Sequence, residues 1–170
     1  LDHNATTPIA PEVADAMLPY LREHFGNPSS SHYYGQQTKK AIQKARSEVA
    51  ALLGCRTDEI IFTSGGSESN NLAIKGVAEQ LRSKGTHIIT SQIEHPAVIN
   101  VCEYLKTHGY SITYVPVDAI GMVDPKKKKK AIRPGTILIT IMHANNEVGT
   151  IQPLADISKI ARSHDILFHT

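Results

Sequence analysis

Apolar and polar positions along the chain switch between two periods. Short runs of β-branched and aliphatic residues, as in Thr136–Met142, alternate with longer stretches whose apolar residues recur every three or four positions. The first pattern is that of buried strands and the second that of helices with one inward stripe. Pro11 opens a first helix with Val13, Met17, Leu18 and Leu21 on one side, and Gly26-Asn27-Pro28-Ser29-Ser30-Ser31 reads as a loop. A longer helix is predicted over Gln36–Leu53, ending at Gly54, with Ile42, Ala45, Val49, Leu52 and Leu53 inward. From there strands and helices alternate. Strand Glu59–Thr63 leads to a helix over Glu68–Arg82, and strand His87–Ser91 to a helix opened by Pro96 and lined by Val98, Val101, Cys102 and Leu105. Strand Ile112–Val117 precedes a short helix begun by Asp124-Pro125. Strand Thr136–Met142 precedes a helix opened by Pro153 with Leu154, Ile157, Ile160 and Ala161 inward, and a last strand covers Ile166–Thr170. Such alternation with short connections predicts one α/β domain, a mainly parallel sheet with helices on both faces.

In an open α/β sheet, ligands gather beyond the carboxyl ends of the strands. Three such ends carry chemically able residues. Ser64-Gly65-Gly66-Ser67-Glu68-Ser69 turns into a helix N-terminus, where free N–H groups and the helix dipole favour an anion such as phosphate. Gly65 and Gly66 permit close approach of the backbone, and Ser64, Ser67 and Ser69 add hydroxyl donors. An ordinary strand-to-helix connection has the same composition. The run is neither G-x-G-x-x-G nor G-x-x-x-x-G-K-[ST], which weakens dinucleotide and nucleoside-triphosphate readings. The second end places His95 at a helix start, where it serves as a cap or as a ligand-facing group; Glu94 beside it reads as solvated or dipole-paired. The third, His143-Ala144-Asn145-Asn146-Glu147, reads as an Asx turn or a binding loop. His95, His143 and His169 lack metal-type spacing, and no metal is expected.

Composition narrows the class. With 170 residues and 41% hydrophobic content, the chain can bury a real core, and a net charge of +2 does not call for nucleic acid or an anionic membrane. Cys55 and Cys102 have neither metal nor disulfide-scaffold spacing, so a reducing compartment is expected, cytoplasmic or organellar. The five lysines Lys126–Lys130 read as a solvated surface. The first residue is Leu1 rather than Met, which fits either processing or part of a longer chain.

Five segments together resemble a known family: Leu1-Asp2-His3-Asn4-Ala5-Thr6-Thr7-Pro8, Phe25-Gly26-Asn27-Pro28-Ser29-Ser30, the run 62–71, Glu94-His95, and Ile141-Met142-His143-Ala144-Asn145-Asn146-Glu147-Val148-Gly149. In this order they resemble the cysteine desulfurases, pyridoxal-phosphate enzymes of the class V aminotransferase group and close relatives of the selenocysteine lyases. The resemblance implies a fold type I transferase, with residues 1–170 as the N-terminal part of its large, cofactor-binding domain. It implies that Gly66 and Ser67 form the phosphate-binding turn, with Gly-Ser where many relatives have Ala-Thr. His95 would be the histidine that stacks on the pyridine ring and shuttles protons, hence the catalytic residue of this stretch. Asn146 would hydrogen-bond the cofactor's phenolic oxygen.

What the family adds beyond these motifs has no counterpart among the 170 residues. The aspartate that pairs with the pyridinium nitrogen would directly follow Thr170. The Schiff-base lysine, the loop cysteine that takes sulfur, a substrate-binding arginine and the small C-terminal domain would come later still. Lys75, Lys84, Cys55 and Cys102 do not match those positions. The segment alone is therefore expected to be inactive, and its unpaired sheet edge and uncovered apolar face to promote association. The whole protein is expected to be a homodimer that converts L-cysteine to L-alanine, passing sulfur as a persulfide to an iron–sulfur scaffold or another acceptor. The alternatives are a selenocysteine lyase, or a truncated module that binds pyridoxal phosphate or dimerises without catalysis.

Overall fold

The computed structural model describes residues 3, 6–125 and 130–170. Leu1, Asp2, Asn4 and Ala5 of the first motif lie outside the described residues, as do Lys126–Lys129 and with them most of the short helix predicted after Asp124. The chain divides into two compact units, Leu1–Phe62 and Thr63–Thr170.

The first unit is helical. Helix α1 spans Pro11–Arg22 and α2 spans Tyr33–Leu53. Pro11 begins α1 where its missing N–H costs nothing, and Gly54 ends α2 in the left-handed conformation (φ 67°) that glycine adopts without strain. The predicted loop between them folds onto α2, whose Thr38 hydroxyl donates to the Gly26 carbonyl at 2.7 Å. Two expectations are corrected here. The α2 positions Ile42, Leu52 and Leu53 are exposed, Leu52 at 85%, and the buried positions are Gly35, Thr38 and Ala50. The buried positions include those nearest the loop, whereas the aliphatic stripe has no covering element among the described residues of this unit. The run 59–63 is not a strand. A single 3₁₀ turn occupies Thr57–Glu59, and the extended residues after it join no β-ladder. Instead the Arg46 guanidinium bonds the Ile60 carbonyl and lies 4.9 Å from the centre of the Phe62 ring. A side chain from α2 thus takes a carbonyl that a neighbouring strand would have used.

The second unit holds the sheet: β1 at His87–Ser91, β2 at Ser111–Val115, β3 at Thr136–Thr140 and β4 at Leu167–His169, all parallel in the order β2-β1-β3-β4. Helices α3 (Gly66–Gln80), α4 (Pro96–Thr107) and α5 (Leu154–Ser163) fall within a few residues of their predicted spans. Alternate strand residues enter separate cores. Ile88 and Leu138 pack with Ile74 and Ala78 of α3 and Val98, Val101 and Cys102 of α4. Ile89 and Ile139 pack with Ile157 and Ala161 of α5. Helices therefore cover both faces, as predicted, and buried parallel strands of this kind read as continuous apolar runs. Among the described residues no helix is long and apolar enough to cross a membrane.

One polar residue is built into the sheet interior. His87, 3% exposed, meets the Thr136 hydroxyl through Nδ1 and the Thr113 hydroxyl through Nε2, each at 2.7 Å, so that it bridges β3 and β2 from β1. The Thr136 hydroxyl hydrogen is directed to the Arg133 carbonyl, which makes Nδ1 the donor and Nε2 the acceptor of a neutral ring. Burial, reinforced by the Arg133 charge, lowers the His87 pKa from 6.5 to about 4. Folding thus favours the neutral ring, and its contribution is complete above the unfolded value and lost as pH falls toward the folded one. In acid titrations monitored by urea unfolding, the chain should lose up to about 1.4 kcal/mol per pH unit from this group between pH 6.5 and about 4. His87→Asn should lack that component of the slope.

Candidate cofactor site

The strand order creates the site. The chain moves outward from β1 to β2 in one direction, then returns past β1 to β3 and continues to β4 in the other. Loops leaving β1 and β3 therefore diverge, and the crevice between them is where open α/β sheets receive ligands. The loop after β1 carries Glu94 and His95, and the loop after β3 carries His143, Asn145 and Asn146.

His95 caps α4: its Nδ1 accepts from the Ala97 N–H at 3.1 Å, and Pro96 follows at the first helical position. A ring nitrogen that accepts is unprotonated, so in the neutral ring Nε2 carries the hydrogen. His95 is exposed, and three concavities meet at it. One, of about 430 Å³ between α3 and α4, also has Ser67, Asn71, Lys75 and Tyr104 in its wall. A second, of about 740 Å³, is shared with Asn145 and Asn146. A third, of about 200 Å³ under the strand ends, includes Asn70, Thr140, His143 and His169. Ser67 and Asn146 each share a concavity with His95, though not the same one, and Gly66 sits beside Ser67 at the start of α3.

At the head of α3 the donors are sorted. The Ser64 N–H and hydroxyl both donate to the Glu68 carboxylate, at 2.6 and 2.5 Å, and these bonds hold the Glu68 pKa below its usual value. The Ser69 hydroxyl is taken up with the Thr63 hydroxyl and the Gly65 carbonyl. Of the three serines expected to add donors, Ser67 alone keeps a hydroxyl without an internal bond among the described residues, beside the unbonded N–H groups of Gly66 and Ser67. A Cβ built on Gly65 or Gly66 meets nothing within 4 Å, so the space in front of this turn is open.

Other side chains depart from expectation. Glu94 is not solvated; it is 7% exposed and accepts from the Ser91 hydroxyl and the Met142 N–H. Asn145 makes the Asx turn, taking the N–H groups of Glu147 and Val148 on Oδ1, and is buried, whereas Asn146 is exposed. Burial lowers the His169 pKa, and its Nδ1 lies 2.8 Å from the Thr140 hydroxyl. Among the described residues no group of three or more His, Cys, Asp and Glu is arranged to hold a metal ion. Cys102 is buried and its thiol is pushed up to about 12, by burial first and then by Glu94 and Glu103, which leaves it unreactive. The one local sign of the buried carboxylate is Ser91, three residues before Glu94 at a strand end, and such a pair is too common on surfaces to mark it.

Residues 1–170 match the aminotransferase class-V family from end to end. The chain belongs to the class-V aminotransferase family. Within it, the chain is 59% identical over 170 residues to the cysteine desulfurase IscS of Dictyoglomus turgidum, covering all of this chain and 43% of that protein. It is 55% identical to IscS of Methanosarcina thermophila, covering 42% of that protein, and 48% identical to the human cysteine desulfurase, covering 37%. The chain thus spans under half the length of these curated relatives. Among solved structures, SspA in complex with cysteine superposes with a TM-score of 0.95 at 46% identity, over 99% of this chain and 49% of that one. A NifS-like protein superposes with a TM-score of 0.96 at 42% identity, over 99% and 47%. The fold is that of the type I pyridoxal-phosphate transferases to which these neighbours belong.

The donor set fits the cofactor of such enzymes. Two N–H groups and a hydroxyl at a helix N-terminus suit a phosphate ester, and an imidazole and a carboxamide flank the crevice where a planar polar ring would lie. Independently of any ligand, His95→Ala should cost roughly 1 kcal/mol of stability through loss of the α4 cap, and His95→Asn should recover most of it, as read by thermal unfolding.

Proposed function

We propose that this chain is the N-terminal part of the pyridoxal-phosphate-binding large domain of a cysteine desulfurase. The complete protein converts L-cysteine to L-alanine and passes the sulfur on as a persulfide. The observation that supports this reading most is the sorting of donors at α3, which leaves Gly66 N–H, Ser67 N–H and the Ser67 hydroxyl for one anion, on the wall of a cavity that Ser67 shares with His95. Identity of 59% to a desulfurase and the similarity to a structure holding cysteine support the substrate.

In this reading Gly66 and Ser67 would hold the phosphate, His95 would stack on the pyridine ring, and the Asn146 carboxamide would donate to the phenolic oxygen. When bound, the cofactor would supply an electron-poor ring as an electron sink. His95 is the catalytic residue of this segment. With Nδ1 engaged as a cap, Nε2 is the atom that holds or delivers a proton. The lysine that would bind the cofactor covalently and the cysteine that would take the sulfur are assigned to the rest of the protein, so the segment alone is inactive. Homodimerisation, a cytoplasmic home and delivery of sulfur to an iron–sulfur scaffold complete the proposal.

Titration of the cofactor-free full-length protein with pyridoxal phosphate, followed by absorbance, tests it. Ser67→Ala should raise Kd roughly tenfold or more, the loss expected when a hydrogen bond to a charged group is removed. His95→Asn, which keeps the cap, should lower kcat for alanine formation from cysteine. Unchanged cofactor affinity in Ser67→Ala would remove the anion site from the proposal.

A further inference from the structure

Two loops have to be held in register for His95 and Asn146 to face one ligand, and two buried side chains hold them. The Glu94 carboxylate accepts the Met142 N–H on Oε1 at 3.0 Å and on Oε2 at 3.1 Å, and Oε1 also takes the Ser91 hydroxyl at 2.6 Å. It reaches from the loop after β1 to the first residues beyond β3. In return, Asn145 from the loop after β3 donates through Nδ2 to the Ile93 carbonyl at 3.0 Å. The two ties run in opposite directions between the same loops, and each comes from the residue that immediately precedes a proposed site residue: Glu94 before His95, Asn145 before Asn146. Both side chains are nearly solvent-free, at 7% and 8% exposure.

We infer that Glu94 and Asn145 are positioning residues, a reciprocal clamp that fixes the separation and orientation of His95 and Asn146 across the crevice. What the two clamped side chains hold rests on the cofactor reading above; the clamp itself does not. A carboxylate suits the task because its two oxygens can accept the Ser91 hydroxyl and the Met142 N–H at once. Removing it leaves the part-buried Met142 N–H without its partner, which favours movement of the β3 loop.

The test uses the full-length protein with Glu94→Ala, Glu94→Gln and Asn145→Asp. Glutamine keeps an oxygen for the Met142 N–H, and aspartate keeps the Asx turn while losing the donor to Ile93. Ile157→Ala, in the core on the α5 side and not itself among the residues that line the crevice, serves as a destabilised control. In the cofactor-free protein, the Met142 amide resonance should move markedly in Glu94→Ala and little in Glu94→Gln. With pyridoxal phosphate, Glu94→Ala should raise Kd roughly tenfold. It should also displace the bound cofactor's visible absorption band in the same direction as Asn146→Ala. Glu94→Gln should return both toward wild type, Asn145→Asp should displace the band in the same sense, and Ile157→Ala should leave it in place. A band unmoved in Glu94→Ala, or moved equally in Ile157→Ala, would overturn the clamp. Should Glu94→Ala fail to fold, an undisturbed band in Asn145→Asp would do the same. An unmoved Met142 amide in Glu94→Ala overturns the clamp whether or not the cofactor binds. Absence of any band in the wild type would instead overturn the cofactor reading, with the amide measurement still deciding the clamp.

Discussion

Strand β1 has a hydrogen-bonded neighbour on each edge and a core on each face, and all five of its side chains are buried. Everything polar on it must therefore be answered from within the protein. His87 is answered by threonines of both flanking strands, and Ser91 by Glu94. Thr90 is not: its hydroxyl is buried without a hydrogen-bond partner among the described residues. A strand so enclosed cannot adjust its position without disturbing both cores at once, because packed interiors resist small displacements. The loop that leaves β1 consequently begins from a fixed point, and His95 lies only four residues beyond it.

The site follows from that fixed point and from the reversal of strand order beside it. Parallel strands all send their carboxyl ends to one edge of the sheet, but a crevice opens only where neighbouring connections part. Here they part between β1 and β3. The helix dipole at α3 and the cap at α4 give that region unspent donors, while the Glu68 carboxylate takes the donors of Ser64. A negatively charged side chain near an anion site is tolerable because its charge is held by Ser64, upstream of the free N–H groups. Electrostatics and topology thus lead by separate routes to two concavities that meet at His95.

Much of this was legible in the sequence. Continuous apolar runs bounded by turns located β1, β3 and β4, and Pro96 and Gly54 marked helix ends, because those signals are local. The run Ile60-Ile61-Phe62 misled for the opposite reason. Its composition is that of a strand, but whether it becomes one depends on a partner, and the Arg46 guanidinium from α2 satisfies its carbonyl instead. The α2 stripe failed in the same way: spacing predicts which residues share a face, and only a covering element determines whether that face is buried. At the site, the glycine turn and His95 could be found from neighbouring residues. Glu94 could not, since the Met142 N–H that buries it lies forty-eight positions away in the sequence. Long-range polar ties leave no periodicity to read.

His95 shows why a structural reading and a chemical one need not compete. Read from sequence, it was either a helix cap or a ligand-facing group. In the structure the cap uses only Nδ1, and by using it determines where the ring's hydrogen sits. A histidine free of that bond would divide its population between two tautomers and several orientations. Held as it is, it keeps a single ring nitrogen uncommitted, with its backbone immediately after the buried Glu94. The capping bond is weak as a contribution to stability, roughly 1 kcal/mol. Its larger consequence is to remove alternatives, so that whatever enters the crevice meets one protonation geometry rather than an average of several.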